Sequence, residues 1–385
     1  MKSLQLKLGG NEMFAGKIFT NLFSIKSASI LIICLCIGFL SGCSAEGEIN
    51  GGTANFPGGG IPEDPALEWV APEEVGWSSV ELQEAQKFAQ QSGCTAVMAL
   101  YDGRVFFSRG NIHINYAAHS MRLPFINALY GIHFARGNIN LNATLEDLHI
   151  DDLTPGLTYA EKQARLEHLL MSRSGVYHEA ADEDQTMIDE RPARGSHAPN
   201  TFFYYSNWDF NALGTIFEQE TGEEIFDAFK TEIADFLGMV DFSIENSFYQ
   251  YEWNKSFHPA YHFKMSVRDM AKFGVLYQKN GRWKGTQIIW SDWIDDSTMA
   301  YSTMPGTGGL GYGYLWKIIP EDSEIGQMIG YPGYYHTAAD GYVLVVIPDL
   351  KLVIVERYDT DQNWEDPEDD AFELSMLIMD AHMAE

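Results

Sequence analysis

The chain has 385 residues, of which 45% are hydrophobic, and this length suits one large domain with a sizeable core. Its 54 acidic residues outnumber the 25 basic ones and give a formal net charge of −29. A body with this charge repels nucleic acid and anionic membrane surfaces, so no nucleic-acid partner is expected. Solubility is the simplest reason for the charge, and an acidic binding face is the alternative.

The N-terminal segment has the pattern of a lipoprotein signal. An apolar run over 30–40 is too short for a transmembrane helix and closes on Leu-Ser-Gly followed by Cys43. The pattern predicts a signal peptide over residues 1–42 and a lipid on Cys43, with a secretory leader that carries no lipid as the alternative. Because Ser44 and not aspartate follows, we expect attachment to the outer membrane of a bacterial cell envelope, facing the periplasm. The lipid anchor is then the only membrane contact.

A flexible tether is predicted over residues 43–66, which are rich in glycine and proline. Its reach as a random coil is about 25–30 Å. The remaining residues, 67–385, show no internal repeat and predict a single domain with two lobes. A helix is expected near its start, over about 79–91.

Strand pairs are predicted near both ends of this domain. Near the start, apolar runs at 95–101 and 105–108 flank an Asp-Gly pair, which is a strong hairpin signal. Near the end, runs at 342–347 and 352–356 flank a turn, and a helix follows over about 370–383. The pattern predicts an α/β fold of the α+β type. A mainly antiparallel sheet is built from both chain ends and flanked by helices, with an inserted, mostly helical lobe.

Four stretches match the motifs of one enzyme superfamily. They are the run 119–131 around Ser120, the stretch 204–214 with Tyr205 and Asn207, a Leu-Leu-x-x-x-Ser-Gly pattern over 169–175, and a Gly-x-Trp turn at 281–283 with the helix after it. Together they resemble serine β-lactamases, penicillin-binding proteins and related esterases, in particular the class C-like and esterase branch.

The resemblance implies a reaction and a set of site residues. In this superfamily a serine attacks a carbonyl, a lysine three residues later takes its proton, and a tyrosine passes a proton to the leaving group. On this chain the resemblance implies Ser120 as the nucleophile and Tyr205 as the proton shuttle. Asn207, with His336 and Thr337 on the strand that edges the cleft, would bind substrate. The cleft lies between the sheet and the helical lobe.

Two positions depart from the superfamily pattern. Leu123 stands where the lysine is expected, and a hydrocarbon side chain cannot accept a proton. A positioned general base contributes about 10²- to 10⁴-fold in rate, so acylation is expected to be crippled. Ala338 replaces a glycine that would allow substrate to approach the strand closely.

The residues next to the serine are the nearest candidates to replace the lysine as a base. Arg122 is too strongly basic to accept a proton and lies off the serine's face of a helix. His119, or another histidine, is the alternative base. Pro124 predicts that the helix begins at the proline itself, because proline disfavours helical geometry at the residue before it.

Two hypotheses of function follow. The first is a lipid-anchored, β-lactamase-related serine hydrolase that transfers the acyl group of an ester, amide or β-lactam through Ser120, with weak or lost activity. The second is an inactive pseudoenzyme that binds a cell-wall or glycan fragment, or a partner protein. The expected ligand is a small-molecule acyl, peptide or glycan compound.

No cofactor and no metal are predicted from the sequence. The spaced glycines 306, 308 and 311 match a dinucleotide-binding pattern, but no predicted strand precedes them. His258 and His262 have the spacing of a metal-binding helix, but a proline directly after the first histidine argues against that helix.

Overall fold

The computed structural model describes residues 64–338, 341–358 and 367–383. The predicted signal peptide, Cys43 and all but the end of the predicted tether lie outside the described residues. Residues 64–305, and those from 309 onward that are described, belong to one compact unit. No helix in the described part of the chain has the length and apolar character needed to cross a membrane.

The strands alternate with helices along the chain. In chain order the described strands are β1 (Glu68–Trp69), β2 (Cys94–Tyr101), β3 (Arg104–Gly110), β4 (Tyr116–Ala117), β5 (Phe248–Gln250), β6 (Ala260–His262), β7 (Lys264–Met265), β8 (Arg282–Trp283), β9 (Thr286–Gln287), β10 (Ser302–Thr303), β11 (Gly311–Tyr312), β12 (Lys317–Ile319), β13 (Gly333–Ala338), β14 (Tyr342–Ile347) and β15 (Leu352–Tyr358).

The helices lie mostly between β4 and β10. In chain order the described α-helices are α1 (Leu82–Gln91), α2 (Arg122–Ala135), α3 (Leu166–Leu170), α4 (Gln185–Glu190), α5 (Asn207–Thr221), α6 (Ile225–Phe229), α7 (Asp235–Leu237), α8 (Val267–Gln278), α9 (Ser291–Ser297), α10 (Glu324–Ile329) and α11 (Pro367–Asp380). A π-helical segment, Lys230–Ala234, joins α6 to α7.

Nine of these strands form one sheet in the order β1-β3-β2-β15-β14-β13-β12-β11-β10. Every neighbouring pair is antiparallel except β1 and β3, which are parallel. The first hairpin, β2–β3, is joined to the last, β14–β15, by hydrogen bonds between β2 and β15. The predicted fold class, a mainly antiparallel sheet built from both chain ends with helices inserted, is therefore confirmed.

Both predicted hairpins form, and the first shows why its turn sequence matters. Asp102 and Gly103 have φ angles of 49° and 83°. A two-residue turn with positive φ at both positions matches the right-handed twist of the strands that it joins, and aspartate and glycine tolerate that conformation best. The Asp-Gly pair therefore sets the register of β2 against β3, in which Tyr101 lies opposite Arg104.

Helices cover both faces of the sheet. Leu344 of β14 faces α8, where a Cβ added to Gly274 would lie 2.8 Å from its Cδ1 atom, so the helix backbone packs very closely on the sheet. Its neighbour Val345 lies opposite Tyr335, whose ring contacts Phe372 of α11. Because successive side chains of a strand point to opposite faces, α8 and α11 cover opposite sides.

Candidate active site

Ser120 lies immediately before helix α2. It belongs to a single 3₁₀ turn, His119–Met121, which leads directly into Arg122, the first residue of α2. Pro124 is the third residue of that helix, in the first turn, where its missing N–H breaks no intrahelical bond. The prediction that the helix begins at Pro124 was wrong by two residues, and Ser120 does lie at the N-terminal end of a helix.

The serine turn is held on one side by strands. Ala118 donates its backbone N–H to the carbonyl of Phe263 over 2.9 Å, and the turn packs against β13 of the main sheet. Ser120 itself is partly exposed. Within the described residues, the Ser120 hydroxyl makes no hydrogen bond.

Leu123 occupies the lysine position as a core residue. Its side chain is 0% exposed and belongs to the hydrophobic core. The site therefore has hydrocarbon, and not an amine, three residues after the serine.

Arg122 is the cation that the structure places beside the predicted asparagine. Its guanidinium donates to Asn211 Oδ1 over 2.7 Å and to Asn207 Oδ1 over 3.2 Å, and it lies 4.7 Å from the centroid of the Tyr261 ring. The side chain is buried, with 2% exposure. Charge-assisted hydrogen bonds and a cation–π contact offset the cost of burying this charge. Arg122 thus ties α2 to α5.

The sequence predicts no role for Arg122 as a base, because a guanidinium is too strongly basic and because Arg122 does not share the serine's helix face. One signal could have identified it: Asn207 and Asn211 are four residues apart, so both amides lie on one face of α5. Two neutral acceptors on a buried face need a donor, and a buried arginine on the neighbouring helix supplies one.

Tyr205 is positioned by the serine-rich motif at 169–175. Ser172 donates its hydroxyl to the carbonyl of Tyr204 over 2.6 Å and accepts the backbone N–H of Ser206 over 3.1 Å, so it fixes the chain on both sides of Tyr205. The Tyr205 ring is partly exposed and packs against Phe210, with centroids 4.8 Å apart.

A second serine of that motif contacts the first turn of α5. Ser174 donates to Asp209 Oδ1 over 2.5 Å, and burial raises the pKa of the Asp209 carboxyl well above its usual range. Ser206 caps the same helix by accepting the N–H of Asp209. These contacts fix Tyr205 and Asn207, which precede and begin α5.

His336 and Thr337 lie on β13, as predicted, but on opposite faces of the strand. Thr337 is partly exposed, and its hydroxyl accepts a hydrogen bond from Lys317 Nζ over 2.5 Å. His336 is fully buried, and its Nδ1 lies 2.9 Å from the Thr337 carbonyl oxygen. Of the two, Thr337 is the side chain that can meet a ligand, and Lys317 beside it was not anticipated from the sequence.

Burial keeps His336 neutral. Desolvation, followed by the charge of Lys317, lowers the pKa of His336 to about 3, although a hydrogen bond to the Thr337 carbonyl acts in the opposite direction. The imidazole cannot therefore serve as a cation for an anionic substrate near neutral pH.

One further cluster adjoins the serine. His119, Asp182 and His262 bring their imidazole nitrogens and carboxylate oxygens within 4.8 Å of one another. The rings of His119 and His262 have centroids 5.4 Å apart, and His262 Nε2 lies 3.5 Å from Asp182 Oδ2. The sequence does not predict that these three side chains lie together, because they come from three distant segments of the chain. Such residues could hold a metal ion or relay a proton.

The comparisons with known proteins give the family from a family model and the fold from solved structures. The Beta-lactamase family model matches residues 126–375, a range that begins after Ser120 and Leu123. No curated protein matches the chain. Among solved structures, the octameric penicillin-binding protein homologue from Pyrococcus abyssi is 17% identical with a TM-score of 0.56, and the match covers 78% of each chain.

Two further solved structures give the same fold. A putative beta-lactamase from Bacteroides dorei is 14% identical with a TM-score of 0.58, covering 79% of this chain and 99% of that one. The D-alanine carboxypeptidase AmpC from Burkholderia cenocepacia is 14% identical with a TM-score of 0.58, covering 78% of this chain and 97% of that one. At these identities the likeness shows the fold alone.

Replacing Arg122 by methionine should destabilise the protein. The change leaves the oxygens of Asn207 and Asn211 without their buried donor, and hydrogen bonds to charged groups contribute about 1.5–3 kcal/mol each. We expect the free energy of unfolding, measured by urea titration, to fall by about 3 kcal/mol. Arg282→Met, at an exposed arginine, is the control and should change it by less than about 0.5 kcal/mol. Equal effects of the two variants would contradict this role of Arg122.

His336 should make stability depend on pH in a defined window. Its folded-state pKa of about 3 lies below the ordinary value of 6.5, so the unfolded chain binds the proton more strongly. Its contribution is therefore complete above about pH 6.5 and is lost as the pH falls toward 3. When the pH is lowered from about 7 to about 5, the free energy of unfolding, measured by urea titration, should fall in both proteins. The fall should be about 2 kcal/mol smaller in His336→Gln than in the parent. His149→Gln, at an exposed histidine, is the control, and parent-like pH dependence in His336→Gln would refute the assignment.

Proposed function

Because the chain belongs to the β-lactamase family of hydrolases, we propose that it is a serine hydrolase that acts slowly through Ser120 on an ester, an amide or a β-lactam. The observation that carries the proposal is the position of the serine. Ser120 is partly exposed in the turn that opens α2, and that turn packs against β13.

The environment of Ser120 favours attack on a carbonyl. The N-terminal end of a helix carries a partial positive charge from its unpaired N–H groups, and this stabilises a developing oxyanion nearby. Tyr205 is partly exposed just before α5, and Arg122 ties α2 to that same helix end. In this proposal Ser120 Oγ bonds to the carbonyl carbon, and its proton passes through Tyr205 to the leaving group as the bond between that group and the carbonyl carbon breaks. Water then cleaves the acyl-serine bond, which releases the acid and returns a proton to Ser120 Oγ.

The missing base makes this reaction slow. Leu123 is buried hydrocarbon, and the guanidinium of Arg122 is a hydrogen-bond donor with no acceptor atom. Near neutral pH an unassisted serine hydroxyl is a weak nucleophile. The remaining acceleration comes from positioning and from the backbone dipoles.

The body of the protein is attached to a membrane by lipid in this proposal. Cys43 would carry the lipid, and the segment between Cys43 and residue 64 would separate the domain from the headgroups. We expect the parent protein to incorporate labelled fatty acid when it is produced in a bacterial host. We expect Cys43→Ala to incorporate none. Equal labelling of the parent and the variant would disprove the anchor.

Leu123→Lys should restore the base. We expect kcat/KM on an activated ester to rise by about 10²- to 10⁴-fold, because a lysine at this position faces the serine one helical turn earlier. Leu123→Met is the matched control and should leave the rate unchanged. Thermal unfolding of all variants checks that the buried lysine is tolerated.

Comparing the rate of ester hydrolysis in the parent and in Ser120→Ala tests the proposal even if Leu123→Lys does not fold. A residual ester hydrolysis in the parent that disappears in Ser120→Ala is expected. Equal rates in the two proteins would show that Ser120 does no chemistry.

A second candidate function, ligand binding without turnover, is favoured by one observation. The hydrogen bonds of Arg122 and the burial of Leu123 leave neither of these two residues as a base for Ser120. If the cleft only binds a peptidoglycan or glycan fragment, calorimetry should give the same affinity for the parent and Ser120→Ala, with no product by chromatography. Product formed by the parent alone would reject this candidate.

A further inference from the structure

We infer that His119, Asp182 and His262 form a binding site for one divalent transition-metal ion, with Zn²⁺ as the best fit. The three residues lie in the 3₁₀ turn before α2, in the loop before α4 and at the end of β6. All three side chains are partly or fully buried. The inference concerns metal binding alone and does not depend on acyl transfer by Ser120.

The spacing of the ligand atoms suits a tetrahedral ion. Zn²⁺ binds imidazole nitrogen and carboxylate oxygen at about 2.0–2.2 Å, which places two ligands of a tetrahedron about 3.3 Å apart. His262 Nε2 and Asp182 Oδ2 are 3.5 Å apart, close to that separation and long for a direct hydrogen bond. The ligand nitrogen of His119 lies within 4.8 Å of the other two ligand atoms. A small rotation of the His119 side chain therefore completes the set of three ligands.

The backbone supports a functional role for two of the three residues. His119 and Asp182 have φ angles of 35° and 63°, in the left-handed region that residues with a Cβ rarely adopt. Such conformations are retained where the surrounding structure fixes them, and they cluster at ligand and active sites. Here they lie at two of the three side chains that converge.

The loop that carries Asp182 is held in place. The Asp182 backbone N–H donates to Glu252 Oε1 over 2.9 Å, and its carbonyl accepts from Asn207 Nδ2. Asn207 is itself bonded to Arg122, so the candidate ligand is connected to the helix that follows Ser120. Mutation of the groups that hold a metal ligand in place typically lowers the metal affinity by about 10- to 100-fold.

The donor set selects the metal. Two imidazoles and one carboxylate are the protein ligands of many zinc sites that keep a fourth position open for water. Oxygen-preferring ions such as Ca²⁺ and Mg²⁺ favour carboxylates and carbonyls, so two imidazoles disfavour them. The strong negative charge of the chain raises the local concentration of any cation.

A second group of similar residues is a weaker candidate. His133, Glu223 and Glu232 also converge. However, Glu232 already pairs with both Arg136 and His133 through its two oxygens. Binding a cation there would require breaking an ion pair with arginine.

Asp182→Asn is the variant that tests the site with the least risk to the fold. Asparagine has the shape of aspartate and tolerates positive φ well, so the loop and its backbone hydrogen bonds should persist. The change removes the anionic ligand alone. His149→Ala removes an exposed histidine away from the cluster and is the control.

The measurement is a calorimetric titration of the purified, chelator-treated protein with Zn²⁺, followed by Co²⁺ with visible absorption spectroscopy. We expect one saturable site, tetrahedral Co²⁺ bands, and an affinity at least about 100-fold weaker in Asp182→Asn but unchanged in His149→Ala. Thermal unfolding should show that Asp182→Asn is folded. The inference is overturned if the parent shows no saturable binding, or if Asp182→Asn binds the ions as tightly as the parent.

Discussion

The buried guanidinium of Arg122 is the interaction on which the candidate site depends. Placing a charge in the interior costs several kcal/mol unless hydrogen bonds replace its hydration. Here two neutral amides and one aromatic face take that role, and the salt bridges of the described residues include none to Arg122. The amides belong to α5 and the arginine to α2, so the charge is satisfied only when the two helices are correctly placed.

That placement brings together parts of the site from distant segments. The serine turn precedes Arg122, Tyr205 precedes α5, and the amide of Asn207 reaches the carbonyl of Asp182. The hydrogen bonds of Arg122 and Asn207 therefore connect the helix after Ser120 with the helix after Tyr205 and with a candidate metal ligand. Leu123 packs in the hydrophobic core, at a place where a lysine would need a polar partner.

Local signals in the sequence predicted much of the fold. The Asp-Gly turn after Tyr101 and the alternation of apolar residues in β14 and β15 are properties of short segments, and both hairpins formed as expected. The helix that follows Ser120 was predicted to begin at Pro124, but it begins at Arg122, because proline is tolerated throughout the first helical turn and not only at its first position. The roles of Ser120, Tyr205, Asn207 and Thr337 in catalysis stay predictions.

What the sequence could not show depends on tertiary contacts. Long stretches of chain separate His119, Asp182 and His262. No local pattern predicts that their side chains lie close together. His336 was predicted to bind substrate because the family resemblance places it on the strand that edges the cleft, yet the strand turns it toward the core face, opposite Leu344. A pattern with period two identifies the faces of a strand but does not say which face meets a second layer.

The measurement that tests the central claim most directly is the intact mass of the protein after exposure to a fluorophosphonate probe, with Ser120→Ala treated in parallel. The account predicts a mass increase of one probe adduct in the parent and none in the variant, because the Ser120 hydroxyl is accessible at the N-terminal end of α2. A well-folded parent that gains no adduct after long exposure, or a variant that gains the same adduct, would contradict it.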